Sequence, residues 1–367
     1  MTMTKTEYKP LGQYITMVDE RNRGYGIDNL VGVSFEKKII PSIANTIGTD
    51  LSNYRIIKPR QFAYCPVTSR NGDRISIAMY EGEETAILSV AYTVFEVNES
   101  ELLPEYLMLW VSRPEFDRYA RFMSHGSVRE LFSWEEMCNV TLPVPSIDEQ
   151  RRLVNEYQTV ERRIKNNEAL IQKLEETAQA IYHHTFVEGI DENNLPDGWR
   201  KDNLEKVVSF KVGGDKPEVF SVIPSQECTI PIYSNGVEEK GLYGYTDKAA
   251  VHAPSVTISA RGNVGTCFLR MHPYSGIVRL VSVIPNNKHM LYYLFYDLSS
   301  RNLQGDGSAQ AQITVPQLQN EHILIPSDEV LETFFHQATI IYHNIECVEK
   351  ELHHLRTLQS LLTLKLA

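Results

Sequence analysis

Two stretches of this chain repeat the same order of residues at an offset of 181, and no other feature limits the possible folds as much. Gly126-Ser127 returns as Gly307-Ser308. The same ungapped offset aligns Met137 with Leu318, Leu142 with Ile323, Val144 with Ile325, Pro145 with Pro326 and Ser146 with Ser327. Self-similarity at a fixed period means that one structural unit is built twice. Beyond these residues the offset enters two long helical segments. In the first, Leu153, Tyr157, Val160, Ile164, Asn167, Ile171, Leu174, Ala178 and Ile181 alternate steps of four and three, the a/d seam of a coiled coil. The offset carries that seam onto Phe334, Ala338, Ile341, Ile345, Val348, Leu352, Leu355, Gln359 and Leu362. Asn167 and Gln359 are the polar positions. The seam predicts two helices that pair through Val160, Ile164, Ile171 and Leu174 on one side and Ile341, Ile345, Leu352 and Leu355 on the other.

Each helix carries a start signal. Pro145 bars the preceding residue from helix, Ser146 can cap, Glu149 completes a capping box, and Asp148 suits the positive end of the helix dipole. The second copy keeps Pro326 and Ser327 but has Val330 in place of the glutamate, which predicts a weaker cap. A helix over 146–183 would be about 57 Å long at 1.5 Å per residue, and the second is similar. Such rods are too long to lie inside one ordinary domain.

The offset divides the chain into a globular stretch over 1–145, a central helix over 146–187, a second globular stretch over 188–326 and a terminal helix over 327–367. The polar, turn-rich Glu188-Gly-Ile-Asp-Glu-Asn-Asn-Leu-Pro-Asp-Gly198 reads as the linker. Both globular parts favour short β-branched and aromatic runs, such as 86–95 and 255–259. Each is followed by a helical stretch, 103–122 or 289–298, so both are α+β by pattern. A short linker cannot double back along the first rod, so the second rod must return to bury its seam. The expected architecture is therefore α+β: two similar globular domains separated by two long antiparallel coiled-coil helices, in a pseudo-twofold internal repeat.

Composition narrows the class. The chain is 42% hydrophobic and 23% charged, as an ordinary globular protein is. No apolar run approaches the roughly 18 residues of a membrane span, and the polar start does not resemble a signal peptide, so a cytoplasmic protein with no membrane partner is expected. Cys65, Cys138, Cys228, Cys267 and Cys347 are odd in number and form no CxxC pair, which reads as reduced core thiols. Catalytic signatures are missing: there is no GxxxxGK[ST] loop, no GxGxxG, no HExxH and no Asn/Asp-Pro-Pro-aromatic tetrapeptide. Glu36-Lys-Lys38 and Glu238-Glu-Lys240 lack an upstream Pro-Asp and read as exposed charge clusters. His183-His184 has no carboxylate spaced to join it and reads as a solvated helix end, so no metal site is expected.

The net charge of −11 argues at first against a nucleic-acid ligand. It is unevenly placed. Residues 248–296 contain no Asp or Glu yet carry Lys248, Arg261, Arg270, Arg279 and Lys288, and residues 51–80 set Arg55, Lys58, Arg60, Arg70 and Arg74 against Asp73 alone. Each tract holds a small polar turn, Ser69-Arg-Asn-Gly-Asp-Arg74 or Ser259-Ala-Arg-Gly-Asn263. Glycine permits close backbone approach, and Arg and Asn pair with guanine and adenine edges. The same turns also read as plain hairpin connections between buried strands, whose burial would itself exclude acids. A duplicated pair on a rigid rod favours two faces for two DNA half-sites. The candidate DNA contacts are Arg55, Lys58, Arg60, Ser69, Arg70, Asn71 and Arg74 in the first half, and Lys248, Ser259, Arg261, Asn263 and Arg270 in the second. Ser127, Arg129, Ser308 and Gln310 on the repeated Gly-Ser element are secondary.

Gly126-Ser-Val-Arg-Glu-Leu131, followed by Leu142-Pro-Val-Pro-Ser-Ile-Asp-Glu-Gln150 and a heptad helix, resembles the central region of specificity subunits of type I restriction-modification systems. Leu195-Pro-Asp-Gly-Trp199 is similar to that family's entry to its second target-recognition domain. The resemblance covers nearly the whole chain. It implies a non-catalytic subunit that reads a bipartite site in double-stranded DNA, one half with each domain, while the helices set the unread spacer and dock two methyltransferase subunits. S-adenosylmethionine, ATP and magnesium would belong to the methyltransferase and restriction/translocase partners, with no cofactor in this chain. The second copy departs from the pattern at Asp328-Glu329-Val330 and at Gln310, where the first has Arg129. A coiled-coil scaffold whose terminal domains bind proteins is the competing reading. An acidic subunit of this kind is expected to bind DNA weakly without its partners.

Overall fold

The central helix runs unbroken over Ile147–Phe186 and the terminal helix over Asp328–Leu364 in a computed structural model that describes residues 7–366, apart from 25, 43–47, 69–73, 125–129, 302 and 304–311. The chain divides into two units. One holds the residues up to Asn167 together with those from Glu351 onward; the other holds Glu168–Lys350. Each unit is thus a globular part plus one half of each helix.

The seam is the shielded face of both helices. Val160, Ile164, Asn167, Ala178, Phe334, Ala338, Ile345, Leu352 and Leu362 are buried, and Ile171, Leu174, Ile341 and Leu355 are half-buried. In the first unit Val154 shares a core with Leu366, and the Arg163 guanidinium meets both oxygens of Glu351 at 2.8 and 3.1 Å. Later residues of one helix meet earlier residues of the other, so the halves are antiparallel. In the second unit Phe186 stands edge-on to Phe334 at 5.0 Å and Glu175 lies beside Tyr342, again antiparallel. The Ser146 hydroxyl accepts from the Glu149 amide at 3.4 Å, the cap that the sequence predicts.

The two globular parts share one sheet topology. In the first, four antiparallel strands lie in the order Ile15–Val18, Thr93–Val97, Phe62–Tyr64, Ile77–Met79; in the second the order is Val208–Val212, Leu280–Pro285, Ser255–Ser259, Cys267–Arg270. Taken along the chain, both sheets are therefore arranged first, fourth, second, third. Each sheet packs on helices: Pro104–Val111 and Pro114–Met123 in one unit, Leu291–Ser300 in the other. A further short strand, Thr141–Pro143 or His322–Ile325, leads into the long helix and pairs antiparallel with the start of the same unit, Tyr8–Pro10 or Arg200–Asn203.

Side-chain details repeat as well. The Tyr106 hydroxyl donates to the Pro143 carbonyl at 2.9 Å and the Tyr293 hydroxyl to the Leu324 carbonyl at 2.7 Å, so each unit clamps the strand before its long helix with a buried tyrosine. Ser133 and Thr314 cap the short helices Trp134–Asn139 and Val315–Asn320 in the same way. The fold class expected from the repeat is the one found.

Gln150 is where the units part company. Its side chain has 0% exposure. Its Oε1 accepts from the Leu103 amide at 2.8 Å, and its Nε2 donates to the Glu101 and Pro145 carbonyls, each at 2.9 Å. Leu103 begins the helix Pro104–Val111 without a side-chain cap of its own, so the central helix supplies one. In the second unit Asn287 caps the corresponding entry locally, and Leu331, which occupies the position of Gln150, is buried in the apolar core. Gln150→Ala is expected to leave three partly shielded backbone groups without their side-chain partner and to lower stability by about 1–3 kcal/mol, read as a shift in the urea midpoint at unchanged slope. A loss below about 0.5 kcal/mol would mean that water replaces the amide.

Two smaller expectations are corrected. Cys228 is buried, but Cys65, Cys138 and Cys267 are half-buried and Cys347 is exposed on the terminal helix, so the thiols are free but not all in the core. A carboxylate does join the histidine pair, since Glu188 accepts from His184 Nδ1 at 3.0 Å, on an exposed helix end. Among the described residues no helix is long and apolar enough to cross a membrane, and no group of three or more His, Cys, Asp or Glu could hold a metal ion.

Candidate nucleic-acid interface

The two polar turns occupy the same place in the two sheets. The strands Phe62–Tyr64 and Ile77–Met79 form one antiparallel pair and Ser255–Ser259 and Cys267–Arg270 the other; residues 65–76 and 260–266 connect them. The segment that follows the repeated Gly-Ser element is bonded to these connections. Phe132 donates its amide to the Pro66 carbonyl at 2.8 Å, and Ile313, at the same offset of 181, donates to the Ala260 carbonyl at 2.9 Å. Two segments far apart in sequence are thereby joined in each unit. Ser69, Arg70, Asn71, Ser127, Arg129, Ser308 and Gln310 lie outside the described residues, but the residues flanking them are fixed.

In the first unit both ends of the turn are pinned to the helix Pro114–Met123. The Thr68 carbonyl accepts from Arg121 at 3.3 Å, and the Ile75 amide donates to Asp117 at 3.1 Å. Asp117 also takes a salt bridge from Lys37 at 2.8 Å. Lys37 is buried and in the left-handed region with φ 58°, while Glu36 and Lys38 are exposed, so the charge cluster expected at Glu36-Lys-Lys38 turns its middle residue inward. Burial above all lowers its pKa, against the pull of Asp117. Arg74 follows the turn and is exposed.

In the second unit the turn needs its glycine. Gly262 has φ 79°, and a side chain there would come within 3.1 Å of Asn235, whose Nδ2 donates to the Arg261 carbonyl at 2.7 Å. Asn263 is exposed, Arg261 half-buried, and the guanidinium of Arg261 has no partner among the described residues. Arg279 stands opposite, its carbonyl accepting from Ala260 at 2.8 Å.

Several candidates are placed elsewhere. Arg55 is paired with Asp19, Lys58 with Glu20 at 2.6 Å, and Arg60 with both Glu99 and Glu105, which hold its pKa well above the usual arginine value. The tract 51–80 is poor in acids only along the chain; the fold brings them in from 19–20 and 99–105. Arg270 is 4% exposed, lies 3.5 Å over the Tyr233 ring, and donates to Thr257 and to the Lys240 carbonyl. It sits at the end of its strand away from the turn and is a core residue. Ser259 is fully buried, and Lys248 is exposed on a loop tied to Ser275. Burial and internal pairing leave Arg55, Lys58, Arg60, Ser259 and Arg270 engaged within the fold.

Residues 196–361 match the family model described as type I restriction modification DNA specificity domain. A Mycoplasma pneumoniae protein named as the type I specificity subunit S.MpnORF507P is 29% identical over 165 residues, 42% of this chain and 45% of that protein. A second from that organism, named as S.MpnORF89P, is 31% identical over 134 residues, 35% of this chain and 40% of that one. The chain is similar to type I specificity subunits. It spans less than half the length of these relatives. In three dimensions the chain is similar to the crystal structure of a type I restriction-modification S subunit from M. genitalium, with a TM-score of 0.64 at 12% identity over 100% of this chain and 97% of that one, a likeness of fold.

The basic residues near the two turns that the sequence did not single out are Lys37, Arg118, Arg121 and Arg279. Arg118 and Arg121 share a face of the helix that pins the turn, a spacing visible in the sequence once that stretch is read as helix. Lys37 had no such signal, because an EKK run gives no sign of which lysine turns inward.

Proposed function

We propose that the chain reads a bipartite sequence in double-stranded DNA as the specificity subunit of a type I restriction-modification complex. The observation that supports this reading is that, in both units, the segment following the repeated Gly-Ser element is bonded to the strand connection that carries an arginine-bearing polar sequence, at one end of the same four-stranded sheet. The globular part over 1–145 acts as one target-recognition domain, through Arg74 and the turn that precedes it. That over 188–326 acts as the other, through Arg261 and Asn263. Arg70 and Asn71, and the secondary residues Ser127, Arg129, Ser308 and Gln310, belong to the same two faces. Arg and Asn on glycine-bearing turns can reach base edges and pair bidentately with guanine or adenine. The helices over 146–187 and 327–367 supply the unread spacer and dock two methyltransferase subunits, and restriction subunits complete the assembly. The chain itself is not an enzyme. S-adenosylmethionine, ATP and magnesium are held by the partners, and the complex works in the cytoplasm.

A genome-wide methylation map with and without this chain tests the reading. Arg261→Ala is expected to relax one half of the methylated sequence and leave the other intact, at a cost of about 1–3 kcal/mol for the contacted base pair. Unchanged methylation at every site would remove Arg261 from the interface.

A further inference from the structure

A cavity of about 790 Å³ lies in the first unit beside the recognition turn. Its walls are the tip of the hairpin between Val31–Val33 and Ile39–Pro41, the start of the helix Pro114–Met123, and Arg74. Four cations line it, Lys37, Arg74, Arg118 and Arg121, against Glu36 and Asp117. Three of the four have a carboxylate of their own. Lys37 has Asp117 at 2.8 Å, Arg118 has Glu115 at 2.9 Å, and Arg121 has Glu130 at 2.7 Å. Arg74 is exposed and has no partner among the described residues. The Asp117 carboxylate takes both the Lys37 ammonium and the Ile75 amide on Oδ1, and it makes no contact with Arg74.

We propose that this cavity seats a phosphodiester of the DNA backbone, with Arg74 as the cation that meets it. The inference rests on the DNA-reading function above and adds which part of the DNA this arginine touches. Phosphate presents acceptors only, and among the described residues no acceptor meets the Arg74 guanidinium. A base edge presents donors as well, and the one neutral polar side chain in the wall is Ser112, whose hydroxyl is already donated to the Met108 carbonyl at 2.7 Å. Asp117 and Lys37 act as positioning residues: by holding Ile75 they fix the backbone next to Arg74. Phosphate contacts set register without reading sequence, which suits a residue at the root of the turn rather than its tip.

The test uses the complex reconstituted with its methyltransferase subunits. Binding is measured against salt concentration for a duplex carrying the target and for one with the first half-site scrambled. Arg74→Ala is expected to weaken both duplexes by the same factor, about tenfold, and to flatten the slope of log K against log salt by about one. Arg74→Lys is expected to restore both, because a point charge serves a phosphate but cannot replace a bidentate pairing with guanine. If Arg74→Ala instead relaxes the first half-site and lysine fails to rescue it, Arg74 reads a base; the seat is wrong while the DNA-reading function stands. Unchanged affinity and slope in Arg74→Ala would also remove the seat, as would stabilisation by inorganic phosphate that depends on Arg74 without any effect on DNA. A wild-type complex that binds neither duplex would defeat the function and the seat together.

Discussion

Raising the pH through 10 is expected to unfold the second unit cooperatively. Tyr182, Tyr292, Tyr293, Tyr296 and Tyr342 pack around Phe334 and Phe335, where the central and terminal helices meet the helix Leu291–Ser300. Burial raises the pKa of all five, that of Tyr296 to about 12. A raised folded-state pKa means that the stabilisation is fully present below the unfolded value of about 10 and is lost as pH rises toward the folded value. In that window the unfolded chain releases protons that the folded chain retains. Each such group costs about 1.4 kcal/mol per pH unit, so five together approach roughly 7 kcal/mol per unit, comparable with the whole stability of a domain. Circular dichroism and the absorbance of tyrosinate, followed together, should change in one step between about pH 11 and 12. Tyrosines that ionise near 10 with the fold intact would show that these rings open to water locally.

Asp117→Ala is expected to be the most damaging single substitution in the first unit, at about 3–5 kcal/mol. The change leaves the Lys37 ammonium buried without its carboxylate and the Ile75 amide without an acceptor. The remaining acceptor of Lys37, the Val111 carbonyl, is neutral and cannot offset the cost of the buried charge. Asp117→Asn should fall between, since its amide oxygen still serves Ile75. Replacing both members of the pair, Lys37→Met with Asp117→Leu, is expected to recover most of the loss, because two apolar side chains of similar size leave no unpaired charge. Urea titration of the three variants separates these outcomes; a double variant no better than Asp117→Ala would place the damage in the backbone at Ile75.

The long helices were legible because a coiled-coil seam is a local signal. Thirty or more residues of regular spacing leave little room for another reading, and the cap at Ser146 adds a hydrogen bond at the expected place. The α+β character of the globular parts was legible too, but their common strand order was not, since the two parts share almost no residues at a fixed offset before position 126. The charged residues fared worst. An acid-poor tract excludes partners nearby in sequence and says nothing of Asp19, Glu20, Glu99 or Glu105, which arrive through the fold and neutralise Arg55, Lys58 and Arg60. Arg270 was unreadable for a different reason: its stem and guanidinium are packed on Tyr233 and Phe268, and nothing in a strand pattern tells an inward arginine from an outward one.

The contrast between Gln150 and Leu331 bears on exchange of the globular parts. A foreign domain grafted ahead of the central helix would have to present an amide and a carbonyl in the places of Leu103 and Glu101, or strand a buried glutamine. One grafted ahead of the terminal helix would need only an oily socket for Leu331, and apolar sockets tolerate substitution of shape far better than hydrogen-bonded ones tolerate displacement. The two positions are alike in outline but not in permissiveness, so domains should move into the second more freely than into the first.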